Sequence, residues 1–517
     1  MRVHYLFIFL LSALPITCHA LSPKQVRALY SSIEPHSVSQ FLAFYELYPN
    51  TVEGKKALAH AWRLLSGGES SAGIQAMLTI DNHGIHAIID LVNKPAGEDT
   101  PLLDEGELAA IDRIAYRLPN RRLKGYAAQS EEDVLKLPPE EIDLARGMLL
   151  SQFGDKKDSM SRIRSYEASL DLMALQILSK LSNNASSEDK IDALNTFIFR
   201  EMRYRFPPHS QYAKDVDIYS FLPSVLDSRR GVCLGVSILY LCLAQRLDLP
   251  LEMITPPGHI YVRYRKGDKI INIETTARGV DLDSEIYLGV NTRSLQQRNI
   301  KEVIGMAHFN QASIFLQNGE FDKALAAYNR ALPYQNDDKF LQELIGYSQV
   351  MSADKTDGIN NLKEISDYLP DYAVSKNNMA EDYLKGHVDE EGMKAIFKSV
   401  DETRESLIEK RDLLIKSLKK YPKFRAGHFS LATTWLQLHR MSEALKELEA
   451  YHQLDDTDPT AEYYLAIIYM ERMHYTKAWE HFSRAEELTK ARDHNPKALI
   501  ELRRQLLELA PRAYDRI

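Results

Sequence analysis

Ala466-Ile467-Ile468-Tyr469-Met470-Glu471-Arg472-Met473-His474-Tyr475-Thr476-Lys477-Ala478, continued by Phe482 and Ala485, is the stretch that decides the fold. Its small and aromatic positions return 34 residues earlier as Ala432, Trp435, His439, Met441, Ala444, Leu448 and Tyr451. They occur once more upstream as Ala312, Phe315, Gly319, Phe321, Ala324, Tyr328 and Ala331. Small residues belong where the two helices of a repeat cross, and bulky ones fill the next layer. A degenerate copy with Ile345-Gly346, Leu362 and Pro370 follows the first frame, and residues 373–424 read as a repeat with an insertion. A final helix, Ala498 to Leu509, caps the stack.

This is the tetratricopeptide pattern, which predicts an α-solenoid over residues 301–517. Its concave face is expected to take a protein or peptide ligand. The chain has 517 residues, 44 % hydrophobic and 26 % charged, which excludes disordered and fibrous classes. Its net charge is −8, with a pI near 6.1. That balance argues against a nucleic-acid binder, which carries a basic face.

The N-terminus reads as an export signal. Arg2 is followed by the apolar run Tyr5 to Ile16, and Cys18-His19-Ala20 ends in the small residue a signal peptidase favours. Residues 1–20 are therefore expected to be removed, leaving an exported chain, periplasmic or secreted. Thr17 and Pro15 are poor neighbours for a lipid anchor on Cys18. No later apolar run reaches the roughly 18 residues a membrane span requires.

Residues 21–138 read as a helical region: Val26-Leu29, Leu42-Phe44-Leu47, Ile74-Met77-Leu78 and Ile111-Ile114-Leu118 recur at three- and four-residue steps. A domain at 139–300 follows. Pro138-Pro139-Glu140-Glu141 predicts a helix start, and Ser186-Ser187-Glu188-Asp189 another. Residues 231–247 form an apolar helix ended by Asp248-Leu249-Pro250. The period then changes to two, and 251–254, 260–264 and 270–275 read as short strands, the last two joined by a turn at Gly267-Asp268. The expected fold class is mainly α: a helical N-terminal region, an α+β domain with a small antiparallel sheet, and the C-terminal solenoid.

One constellation carries chemistry. Arg229-Arg230-Gly231-Val232-Cys233 places a thiol after a glycine turn at the start of the apolar helix. The unpaired N–H groups of a helix start favour a thiolate and can hold an oxyanion. Pro256-Pro257-Gly258-His259 brings a histidine to the first hairpin strand, and Glu274 lies on the second. A connecting loop of two or four residues sets Glu274 opposite Tyr261, on the face of His259, whereas a three-residue loop separates them. Cys233, His259 and Glu274 thus read as nucleophile, base and orienting acid. Cys242 reads as a buried hydrophobe, and Arg229-Arg230 as solvated, with capture of a substrate carboxylate as the alternative. No HExxH, CxxC, phosphate-loop or dinucleotide glycine motif is present, so no metal or nucleotide cofactor is expected.

These residues resemble the transglutaminase-like, papain-related superfamily, and residues about 140–280 its bacterial core-2 branch, some members of which carry tetratricopeptide repeats. The resemblance rests on Ile142-Asp143-Leu144-Ala145, Leu194-Asn195 to Phe199, Val225 to Gly231, Ser237 to Leu241, and Pro257-Gly258-His259. It implies an exported cysteine-dependent acyl-transfer enzyme, a protease or amidase acting on peptide or isopeptide bonds by hydrolysis or transamidation. That branch often has proline where this chain has Cys233, and Asp where it has Glu274. The alternative is a catalytically silent scaffold whose repeats act as an adaptor. Gln211 and Tyr219 are the upstream candidates for a further oxyanion donor.

Overall fold

The computed structural model describes residues 21–67, 82–154, 159–207, 216–352, 354–401 and 403–511. The export signal with Cys18, the Ile74-Met77-Leu78 pattern and Gln211 lie outside the described residues. The chain divides into two compact units, one up to Thr79 and one from Ile80 onward. The expected boundaries at 138/139 and 300/301 fall within the second. Among the described residues no helix is long and apolar enough to cross a membrane.

The first unit contains helices Pro23–Ser31, Val38–Leu47 and Val52–Ser66, opened by Ser22, Ser37 and Thr51. Each cap hydroxyl accepts a backbone N–H that the helix start would otherwise leave unpaired. Phe41, Leu42, Ala57, Ala61, Trp62 and Leu65 are buried.

The second unit begins with helices Asn82–Val92 and Glu105–Ala115 and proceeds to the apolar centre of the chain. The expected helix at Pro138 is corrected by the structure. Pro139–Glu141 makes a single 3-10 turn, Ile142 is extended, and the α-helix is Leu144–Phe153. Asp143 caps it, its carboxylate accepting the Arg146 N–H at 2.9 Å and the Asn120 amide at 2.7 Å. The side-chain cap moves the start to where a buried acceptor is available.

Helix Ser159–Leu178 runs through the interior and carries buried charge. Glu167 takes Arg146 in a two-pronged contact at 2.5 and 2.7 Å, and Asp171 takes Arg246 at 2.8 Å and Arg121 at 2.5 Å. Helix Cys233–Arg246 is buried along nearly its whole length, as an all-round apolar sequence requires.

Beside it lies a four-stranded antiparallel sheet of order β3-β2-β1-β4, with β1 Leu251–Thr255, β2 Tyr261–Lys266, β3 Lys269–Ile273 and β4 Gln296–Arg298. Lys266 pairs with Lys269 and Val262 with Ile273, so the β2–β3 turn has two residues, Gly267 and Asp268. β4 is a strand the sequence pattern did not reveal.

The repeats follow as helix pairs: Ile300–Gln317 with Phe321–Ala331, Lys339–Met351 with Lys355–Ile365, Arg425–Gln437 with Met441–Leu454, and Pro459–Glu471 with Tyr475–Lys490. Lys497–Leu509 closes the series. Ala312, Ala324, Ala331, Ala432, Ala444, Ala466, Ala478 and Ala485 are fully buried, as crossing positions must be. Gly319, His439 and Met473, equivalent in the three frames, have φ of 78°, 58° and 61°. They form the left-handed turn between the helices of each pair. The expected long repeat over 373–424 consists of Met379–Leu384, Glu390–Phe397 and Arg404–Lys420.

The first repeat is not detached from the domain before it. Helix Ile300–Gln317 packs on Leu144–Phe153 and on the Cys233 helix, burying Val303, Ile304, Ala307 and His308. Gly147 permits this approach, since a Cβ there would lie 2.4 Å from the Ile304 side chain. At the far end, His494 Nε2 contacts the Gly289 carbonyl at 2.9 Å, and Asn291 Oδ1 accepts the N–H groups of Val374 and Ser375.

Candidate active site

Cys233 is the first residue of its helix, and no side chain caps that helix. The N–H groups of Cys233, Leu234 and Gly235 therefore have no intrahelical partner, the first such bond being Val236 N–H to the Val232 carbonyl. The approach segment is held on both sides. Gly231 N–H donates to the Arg205 carbonyl at 3.1 Å and Val232 N–H to the Tyr219 carbonyl at 3.3 Å. Gly235 is required for this arrangement, because a Cβ would lie 2.0 Å from the Tyr219 carbonyl oxygen. Tyr219 thus supports the helix start through its backbone.

Behind the thiol, Asp227 gathers four donors: Lys94 Nζ at 2.9 Å, Thr100 N and Oγ1 at 2.9 and 2.6 Å, and Tyr166 Oη at 2.6 Å. Arg229, left-handed at φ 52°, donates to the Lys94 carbonyl, and Arg230 to the Phe206 carbonyl at 3.4 Å. The solvated reading is corrected for Arg229, whose guanidinium fastens the loop before Cys233 to the Lys94 carbonyl; the Arg230 contact lies at the exposed surface. Cys242 is a free thiol, fully buried, and burial pushes its pKa far up.

The two-residue hairpin turn extends the register so that Glu274 follows Ile273 opposite Tyr261. His259 precedes β2, its N–H turned back onto the Pro256 carbonyl at 3.1 Å. Its Nε2 meets Glu274 Oε2 at 2.6 Å, while Thr276 N and Oγ1 donate to Oε1 at 3.0 and 2.6 Å. Tyr287 Oη donates to Oε2 at 2.6 Å, and its ring stacks on His259 at 5.5 Å and Tyr261 at 5.0 Å.

Hydrogen bonds to Cys233 and then to Glu274 raise the His259 pKa to about 9, against the lowering effect of burial. Burial alone would raise Glu274, but the bonds from His259, Thr276 and Tyr287 outweigh it and bring it down to about 2. With Nε2 engaged by the carboxylate, Nδ1 is the ring nitrogen left for the thiol. Cys233, His259 and Glu274 are therefore brought together in that order. Thr276 and Tyr287 were missed from sequence.

A cavity of about 440 Å³ opens in front of Cys233 and His259. Pro256, Pro257 and Ile260 form one side. Met306, Phe309 and Phe340 from the first repeats, with Tyr372, form the other. Arg298 and Asp338, paired at 2.8 Å and largely buried, are its charged feature.

Residues 164–299 match the family model described as "Transglutaminase-like superfamily", which includes all three residues of the constellation. The chain is 24 % identical over 216 residues to a UPF0162 protein of Xylella fastidiosa (strain Temecula1 / ATCC 700964), covering 38 % of this chain and 73 % of that one. It is 27 % identical over 101 residues to F-box only protein 21 of Mus musculus, covering 20 % of this chain and 14 % of that protein. Among solved structures, a thermophilic TPR protein of Thermus thermophilus aligns over 40 % of this chain and 98 % of its own, at 18 % identity and a TM-score of 0.20. The chain thus carries a transglutaminase-like domain followed by TPR-like helical repeats.

Proposed function

We propose that this chain is a thiol-dependent acyl-transfer enzyme acting on peptide or isopeptide amides. The observation that carries the reading is His259 held between the Cys233 thiol and the Glu274 carboxylate. In the forward step the Cys233 sulfur bonds to the amide carbon, and the oxyanion faces the unpaired N–H groups of the helix start. His259 gives its proton to the leaving nitrogen as the C–N bond breaks, leaving a thioester. Water or a second amine then attacks, His259 takes the incoming proton, and the C–S bond breaks to restore the thiolate. Glu274 stays ionised throughout and keeps the imidazole oriented. The apolar walls of the cavity suit an acyl donor with an uncharged side chain.

In this reading the repeats recruit a protein or peptide partner, the signal at 1–20 sends the chain out of the cytoplasm, and residues 139–300 are the catalytic domain. The test is intact-mass detection of an acyl adduct on Cys233 after incubation with a peptide-amide library. An adduct lost in Cys233→Ala, with partner capture by the repeats unchanged, is the expected result. A wild-type chain that forms no adduct and processes no amide favours the silent-scaffold reading instead.

A further inference from the structure

The second half of the repeat series carries a cluster that the thiol chemistry does not use. Glu462, in the first turn of Pro459–Glu471, is fully buried, and each carboxylate oxygen is taken by a histidine from a different helix. His452 Nδ1, near the end of Met441–Leu454, lies 2.5 Å from Oε1. His481 Nδ1, in the middle of Tyr475–Lys490, lies 2.7 Å from Oε2. The two imidazoles are 5.1 Å apart and nearly perpendicular at 82°, and one ligand atom from each of the three residues lies within 4.8 Å of the others. Among the described residues no lysine or arginine is ion-paired with Glu462. The nearby Arg484 is spent on Glu487 and the Asp456 carbonyl.

A buried carboxylate needs a cation. Two imidazoles supply one only by holding an extra proton, whereas a divalent ion would satisfy all three groups at once. Two imidazole nitrogens and one carboxylate, supplied by three rigid elements, are the protein ligands of an open zinc site. Ligand atoms around tetrahedral zinc are about 3.3 Å apart, so the two contacts need to open by less than about 1 Å. His452 is 30 % exposed and marks the mouth through which a fourth ligand enters. Tyr469 lies flat on His481 at 5.4 Å and 5°, fixing its ring plane from outside the cluster.

We propose that His452, Glu462 and His481 form a divalent transition-metal site of zinc type that staples Met441–Leu454 to the following helix pair. The residues are separated by nine and eighteen others, so no short metal motif announces them. In a second group, His83, Asp104 and Glu107, the first two are exposed and none is buried, so it offers no such enclosure.

The experiment is a Co²⁺ titration of the full chain carrying Cys233→Ala and His83→Ala, which removes the active-site thiol and the exposed group as competing ligands. One equivalent should produce the visible absorption of a low-coordinate cobalt site, displaced by Zn²⁺, with a rise in Tm. Glu462→Gln and His481→Ala should abolish it. His452→Ala, at the mouth and with native circular dichroism, removes a ligand and should abolish the low-coordinate spectrum as well. A spectrum that remains that of the free aqueous ion, or saturable binding unchanged in His452→Ala, overturns the proposal.

Discussion

His259 Nε2 and Glu274 Oε2 are 2.6 Å apart, although they stand fifteen positions apart and neither belongs to a regular strand. The two-residue turn at Gly267-Asp268 is what joins them. It sets the pairing that runs from Lys266–Lys269 outward to Val262–Ile273, and Glu274 is the next step. One inserted residue would turn the carboxylate to the other face.

Cys233 should be alkylated by iodoacetamide at neutral pH in the folded protein, while Cys242, fully buried, stays protected until unfolding. In His259→Ala the Cys233 rate should fall by about tenfold or more. Peptide mapping of the labelled chain reads both sites. Equal rates in the two proteins would remove His259 from the mechanism.

Glu274→Gln should lower the His259 titration from about 9 toward the ordinary 6.5, because the carboxylate that accepts its proton is gone. Tyr287→Phe should raise the Glu274 pKa by deleting a donor, and should cost about 1.5–3 kcal/mol of stability. NMR titration of the imidazole and side-chain carboxyl signals checks both. A histidine that titrates identically in wild type and Glu274→Gln would contradict the pairing.

The same pair makes stability depend on pH in a defined way. His259 binds its proton more tightly folded than unfolded, so its contribution is complete below 6.5 and is lost as pH rises through about 9. Glu274 is the reverse: its contribution is complete above 4.5 and is lost as pH falls through about 2. The stability gap between wild type and Glu274→Gln should therefore be widest between pH 4.5 and 6.5. Urea unfolding across that range measures it, and a gap that widens above pH 9 would show the assignment to be wrong.

Met473 occupies a left-handed turn at φ 61° and is 76 % exposed. Met473→Gly should therefore stabilise the repeats by about 1 kcal/mol, since it relieves backbone strain and gives up little packing. Thermal unfolding should show the rise, and a lower Tm would mean that the entropy glycine adds to the unfolded chain outweighs the strain relieved.

Arg146→Ala should cost about 3–5 kcal/mol, because it leaves Glu167 ionised, buried and without its two-pronged partner. Denaturant unfolding of the variant against wild type tests this. A loss below about 1 kcal/mol would show that Glu167 takes up a proton without penalty.

Much of this was legible because it depends on local spacing. The repeat frames were readable from buried alanines at a fixed period, and the thiol, histidine and acid from elements whose ends carry Gly or Pro. What was hidden depends on tertiary placement. Tyr287 lies in the 3-10 turn Ser284–Tyr287, outside any periodic pattern. β4 is three polar residues, Gln296–Arg298, with no strand signature. The cavity wall at Met306, Phe309 and Phe340 belongs to helices that sequence alone assigned to partner binding. Arg229 looked solvated because its acceptor, the Lys94 carbonyl, is 135 residues away.

The helix Ile300–Gln317 has one face against the Cys233 helix and another inside the repeat stack, and it lends Met306 and Phe309 to the cavity. The aperture of the cleft is consequently an inherited property of the solenoid's first turn. Under the proposed acyl-transfer reading, substitutions in the repeats would retune which acyl groups are admitted and leave Cys233 and His259 untouched. A domain grafted without that helix would keep Cys233 and His259 but lose the Met306 and Phe309 wall, so under that reading it would lose selectivity before chemistry.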